Sequence, residues 1–433
     1  MFQAIKRALW GDISGEEFKR FGLLSLTFLF IIGTYWLMRP LKDGLFIKIV
    51  GATYIPWAKI ASFVFIVPLI LIYSKLVDLV AKQKLFYIIC TFYALLFFVI
   101  SFALRHPTIG LTNTVPGADR LLGWIIYLSI ESFGSLVVAL FWSFVASSTD
   151  TSSAKKGYAL IISGAQLGSI AGPFLASNAK KFGMPLLTIF VSIGILIVPL
   201  LIKLFITVNP SAAEVAPVST EKKTGIVEGL KLLLTRPYLA GILGVATLYE
   251  IIGTIIDYQM KMSAEQAFST PEAITQFLGN FGMAANSLAL VFALIGTSFF
   301  IRKFGLTFCL VAFPVTIGVV VGCVWAFPGI WILFGAMVAI KGLSYALNNP
   351  CKEIMYIPTS KDAKFKAKGW IDMFGGRSAK AAGSGINAFF TTLSELMFFG
   401  SIISLGIVGI WIVVALYVGK TNKKLTESGT IIS

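Results

Sequence analysis

The chain has 433 residues, 57% of them hydrophobic and 13% charged, with a mean hydropathy of +0.86 and a formal net charge of +16. Those proportions exclude a soluble globular domain and specify a polytopic membrane protein. The surplus of Lys and Arg is spread over short loops, where membrane topology accounts for it, so nucleic acid is not a partner.

The N-terminal MFQAIKRALWGDISGEEFKR carries charge but no apolar core with a cleavage site, so it is not read as a cleaved signal peptide. Phe21 to Met38 is the first expected span. The cluster Arg39-Pro40-Leu41-Lys42-Asp43 follows, and apolar sequence then resumes. Pro40 would kink a helix running through it. A helix from Phe18 to Val50 would measure roughly 50 Å, which puts Lys42 either within the membrane or at its outer edge. Five further spans read as Tyr54 to Tyr73, Phe86 to Leu104, Leu122 to Ser147, Tyr158 to Ser177 and Pro185 to Ile206. The polar stretch Val208 to Arg236 interrupts them, with a short interfacial helix at its end. Six more spans follow, at Tyr238 to Tyr258, Phe281 to Phe300, Leu306 to Phe327, Ile330 to Leu347, Trp370 to Leu393 and Met397 to Val418. The expected architecture is an all-α membrane protein of twelve transmembrane helices. Residues 1–207 form one six-helix half, 208–236 a cytoplasmic linker and 237–433 the second half.

Charge orients this plan. With both termini cytoplasmic, 24 of the 36 Lys and Arg fall on the inner side and 7 on the outer side. That is a clear positive-inside bias. The rest (Arg39, Lys42, Lys341, Arg377 and Lys380) are the intramembrane candidates. The halves also echo each other: Lys155-Lys156-Gly157-Tyr158 and Lys366-Ala367-Lys368-Gly369-Trp370 each enter a fifth helix, 212 residues apart. Two parallel six-helix repeats are the major-facilitator plan.

No catalytic set appears. The one histidine, His106, sits in an expected outer loop, and no GxxxxGK[ST] loop is present. An enzyme or an ATP-driven pump is therefore not expected, and no cofactor or metal is implied. Cys90, Cys309, Cys323 and Cys351 lack metal spacing and read as core residues rather than disulfides. The chemistry lies in charges flanked by apolar residues, Glu131, Glu250 and Lys341, and in Arg377 and Lys380 at the start of the eleventh span. Burying such groups in lipid is costly, so they face partners or a cavity. Lysines and arginines there suit phosphates or carboxylates, with the glutamates as exchangeable partners or proton sites. Static helix-to-helix ion pairs are the alternative. Gly164, Gly168 and Gly172, with Gly376, Ala379 and Gly383 in the later repeat, form small-residue ridges suited to close helix packing. Tyr35, Trp36, Tyr127, Trp142, Tyr249 and Tyr345 could stack on a base or anchor at the interface.

The stretches LMRPLKDGLFIKIVG, IESFGSLVVALFWSF and NPCKEIMYIPTSKDAKFKAKGWID resemble the non-mitochondrial ATP/ADP translocases of plastids and intracellular bacteria, over about Phe21 to Val418. The resemblance implies a twelve-helix exchanger of major-facilitator type that needs no hydrolysis. It assigns essential charge to Lys42, Glu131, Glu250 and Lys380, and matches Arg39 and Lys341 to basic positions. The fourth-helix motif here is Glu131-Ser132-Phe133-Gly134 where the family has glutamate-leucine-tryptophan-glycine. Lys380 lies between Ala379 and Ala381 rather than glycine and serine. The expectation is a monomeric antiporter in the lipid bilayer that exchanges ATP for ADP, with phosphate, through a positively charged central cavity. The alternative is a proton-coupled importer of nucleotides or organic anions, with NAD/ADP exchange among its forms.

Overall fold

A computed structural model describes residues 14–149, 151–210, 226–295 and 298–432. Among them twelve continuous helices stand in the expected order. They are α1 (Gly15–Ile49), α2 (Ile55–Leu79), α3 (Lys82–Ala103), α4 (Leu121–Ser148), α5 (Thr151–Ala176) and α6 (Met184–Val208), then α7 (Pro237–Ala267), α8 (Pro271–Ile295), α9 (Leu306–Ala326), α10, α11 and α12 (Leu393–Ser428). Helices α10 and α11 are composite. Ile330–Leu343 continues through a π-helical turn, Ser344–Asn348, into Asn349–Met355. Lys361–Trp370 continues through a second π turn, Ile371–Gly375, into Gly376–Asn387. Of the twelve, ten are long and apolar enough by themselves to cross a membrane; α10 and α11 are the two interrupted ones.

Local chemistry sets the ends. Ser14 accepts from the Glu17 backbone N–H, and its own N–H donates to the Glu17 carboxylate, a reciprocal cap that starts α1. Pro40 does not end that helix, which runs on to Ile49. The Thr275 hydroxyl of α8 donates to the Pro40 carbonyl at 3.4 Å. Gly183 and Gly305, at φ of 76° and 81°, turn the chain from short basic helices into α6 and α9, a conformation that favours glycine.

The chain divides into two compact units. The first comprises Met1–Ala52, Val64–Glu221 and Phe268–Met283; the second comprises Thr53–Phe63, Lys222–Ala267 and Ala284–Ser433. Within the first, α1 packs on α4, α5 and α6, and α3 packs on α4 and α6. Within the second, α7 packs on α10, α11 and α12, and α9 packs on α10 and α12. Adding six to each helix number of the first set gives the second, so the two six-helix repeats share one packing scheme.

The closest seam is α1 against α5. A Cβ added at Gly168 would meet the Leu29 carbonyl and, at 2.9 Å, the Gly33 nitrogen. One at Gly172 would meet the Gly33 carbonyl and, at 2.8 Å, the Leu37 nitrogen. Only glycine lets two backbones approach this way. The later ridge is looser: Gly383 faces the Ile251 carbonyl at 3.0 Å and Ala379 is buried, but nothing lies within 4 Å of a Cβ at Gly376. Outward faces remain apolar. On α3, Ile88, Phe92, Leu95, Val99 and Phe102 form one exposed stripe at helical spacing, as a lipid-facing surface requires.

Of the expected linker, residues 211–225 lie outside the described ones, as do the side chains of Lys155 and Lys156. The helix Ile226–Thr235 packs on the opening segment of α11, where Gly229 lies against the Lys366 carbonyl.

Candidate functional site

Two charge clusters carry the expected site residues, one in each unit. In the first, α1 supplies Arg39 and Lys42, and α4 supplies Glu131. Lys42 is 5% exposed and donates to the Glu131 carboxylate; its Nζ lies 3.8 Å from Asp43. That Nζ also sits 4.2 Å from the centroid of the Tyr127 ring. Tyr127 and Glu131 are four residues apart on α4, so they share a face and grip the same ammonium. One turn before Lys42, the Arg39 guanidinium lies over Trp36 at 4.6 Å and near Tyr35 at 6.0 Å.

In the second unit, α7 supplies Glu250, α10 supplies Lys341 and α11 supplies Arg377 and Lys380. Lys380 Nζ lies 3.7 Å from the Glu250 carboxylate, with 55% of the lysine side chain exposed against 24% of the glutamate. Lys341 Nζ lies 5.3 Å from the Tyr249 ring centroid. Lys341 stands three residues before the π turn of α10, and Arg377 and Lys380 follow the π turn of α11. Such turns often occur at functional positions, because the added residue re-aims the side chains beyond it. Just before Arg377, the lysine-rich stretch ties α10 to α11 through Lys368 with Glu353 at 2.7 Å and Lys352 with Asp372 at 3.9 Å.

Two ion pairs thus join Lys42 to Glu131 and Lys380 to Glu250. Two of the aromatic candidates have no open face for a base, since Tyr127 and Tyr249 are 1% and 4% exposed. A third cluster had not been anticipated. Lys59 of α2 and Lys261 of α7 both donate to Asp257 Oδ2, at 2.8 and 2.9 Å. Both lysines are among the seven that the charge count places on the outer side; they lie on helices, and Lys261 is 5% exposed. The Asp257–Lys261 spacing of four was the available signal. Lys59 gave none, because its partner lies 198 residues away.

Two repeats of one helical scheme, with lysine–glutamate pairs held between helices, mark a multi-pass membrane protein. The fold is similar to that of solved carriers. A bacterial homologue of the iron transporter ferroportin, in an inward-facing state, superposes with a TM-score of 0.66 at 13% identity, covering 94% of this chain and 100% of that one. The nucleoside transporter NupG gives 0.61 at 13% identity, covering 93% and 99%. At these identities the likeness is one of fold.

Sequence comparison is more particular. The family model described as TLC ATP/ADP transporter matches residues 1–114 and 112–422, and the chain belongs to that family. It is a family of transporters, not enzymes. ADP,ATP carrier protein 1 of Rickettsia bellii (strain RML369-C) is 24% identical over 89% of this chain and 88% of that protein. The chloroplastic ADP,ATP carrier protein 2 of Arabidopsis thaliana is 26% identical over 93% and 75%.

Proposed function

We propose that this protein is a nucleotide antiporter that exchanges ATP for ADP, with phosphate, by alternating access through a positively charged cavity. The observation that carries the reading is the pairing of Lys42 with Glu131 and of Lys380 with Glu250 between helices of each unit. A phosphate oxygen offers a lysine what a carboxylate oxygen offers, a negative charge and a strong acceptor. The glutamates therefore stand in for substrate in the empty carrier. Arg39, Lys42, Lys341, Arg377 and Lys380 bind phosphates, arginine as a bidentate fork and lysine as a point charge. Glu131 and Glu250 neutralise the lysines when substrate leaves, so the empty carrier does not reorient and exchange becomes obligatory. The sequence similarity to named ADP,ATP carriers supports the substrate class. On this reading the protein is a monomer of two halves, residues 1–207 and 237–433, joined by 208–236. Both termini face the cytoplasm of a bacterial cell bounded by the membrane it crosses.

The test is uptake of labelled ATP into proteoliposomes, loaded with ADP or empty, at equal pH on both sides. Uptake only into loaded vesicles is expected. Uptake into empty vesicles, raised by outside acid, overturns exchange in favour of proton-coupled import. No uptake in either overturns ATP as the substrate, and labelled NAD is then the next probe.

A further inference from the structure

A lysine assigned to nucleotide binding rests on a buried tyrosine in each unit. Lys42 Nζ is 4.2 Å from the Tyr127 centroid and Lys341 Nζ is 5.3 Å from that of Tyr249. Both rings are held by other rings. Phe46 meets Tyr127 edge-on at 5.0 Å, while Phe313 and Trp411 lie 5.7 and 6.3 Å from Tyr249. The tyrosines therefore cannot follow a lysine that moves away.

A ring face and a carboxylate hold an ammonium differently. The carboxylate brings a full charge, which a phosphate must displace. The ring face attracts through its quadrupole and brings no formal charge, so its pull persists when a phosphate binds from another side. A lysine stem has four rotatable carbons and loses its position easily without such a support. The two units arrive at the arrangement by different routes. On α4, Tyr127 and Glu131 share a face and serve one lysine. On α7, Tyr249 and Glu250 are adjacent, so they point roughly 100° apart. They serve two lysines, Lys341 from α10 and Lys380 from α11.

We infer that Tyr127 and Tyr249 are positioning residues, whose ring faces hold the ammonium groups of Lys42 and Lys341 where phosphate meets them while the counter-charge changes from glutamate to substrate. The inference rests on the reading that these lysines bind nucleotide phosphate. It assigns the two rings to the cations and not to the base.

The test compares KM and maximal rate for labelled ATP entering ADP-loaded proteoliposomes, for the wild type and for Tyr127→Leu, Tyr127→Phe, Tyr249→Leu and Tyr249→Phe. The leucine variants are expected to raise KM by about 2- to 30-fold, the range that cation–π attraction spans, with the maximal rate within about twofold. The phenylalanine variants keep the ring and should restore KM to within about twofold. Phenylalanine also isolates the ring from the tyrosine hydroxyl. Leucine variants with unchanged KM, a loss confined to the maximal rate, or phenylalanine variants no better than leucine each overturn the role of the rings. Should a leucine variant fail to reconstitute, phenylalanines of increasing fluorine content at the same position replace it. KM rising stepwise with fluorination supports the proposal, and a flat series overturns it. A wild type that exchanges no nucleotide at all removes the underlying reading, a separate outcome from the failure of the rings alone.

Discussion

Lys42 and Lys380 sit in pairs of different strength. The first is closed and buried, with 6% of the lysine side chain exposed; the second is open at 3.7 Å with a half-exposed lysine. Breaking a buried pair strands the surviving charge at a cost of about 3–5 kcal/mol. A half-exposed pair contributes only about 0–1 kcal/mol. Lys42→Ala should therefore lose both exchange and thermal stability, whereas Lys380→Ala should lose most exchange with little change in Tm. Lys42→Met combined with Glu131→Met should recover Tm but not exchange, since a buried pair replaced by apolar residues of similar volume is often no less stable. Thermal unfolding and uptake, measured on the same preparations, separate these outcomes; wild-type uptake in Lys380→Ala would remove Lys380 from the site. The cluster around Asp257 makes a sharper stability prediction. Asp257→Asn removes the charge that Lys59 and Lys261 share, and should lower Tm more than Lys59→Met, which leaves the Asp257–Lys261 pair intact. Equal Tm values would mean the shared carboxylate is not what holds the cluster.

Among the elements, α3, α4, α6 and α9 were legible to within a few residues, because length and hydropathy alone decide whether a segment crosses a bilayer, whereas α1, α8 and α12 run well past the apolar stretches that marked them. The two composite helices were legible as spans but not as interrupted ones. A π turn adds one residue to a turn without changing composition, so periodicity over a dozen residues does not reveal it. At Pro40 the structure takes the continuous alternative, a single helix through the proline to Ile49, carried by the flanking apolar sequence and packing. The glycine ridge was readable as a ridge, but only coordinates show that its earlier copy meets backbone and that its later copy is open at Gly376. Gly168→Ala should accordingly cost about 1–3 kcal/mol, as overpacking does, while Gly376→Ala should shift stability by no more than about 0.5 kcal/mol. Melting of the two variants in detergent checks this, and equal losses would contradict the difference in packing.

Across the whole molecule, the repeat was faintly written in sequence and plainly written in packing. The same helix pairs recur six positions on, but the charges do not. The first unit places its cation on α1 and its acid on α4; the second places its acid on α7 and a cation on α10. At the 212-residue offset, Lys380 of the second repeat stands where the first has Gly168. Sequence could list the seven charged residues, since each lies in or beside an expected span. It could not pair them, because partners such as Lys42 and Glu131 are 89 residues apart and meet only through the fold. The glycine seam has a mechanical consequence of its own. At Gly168 and Gly172 the backbone of α5 rests on that of α1, with no rotamer between them to rearrange, so the seam there is a weld. Between α7 and α11 the neighbours of Gly375 and Gly383 include the side chains of Leu243, Thr247 and Thr254. Those can turn for roughly 0.5–1.5 kcal/mol apiece. That seam is a bearing, and it carries Lys380.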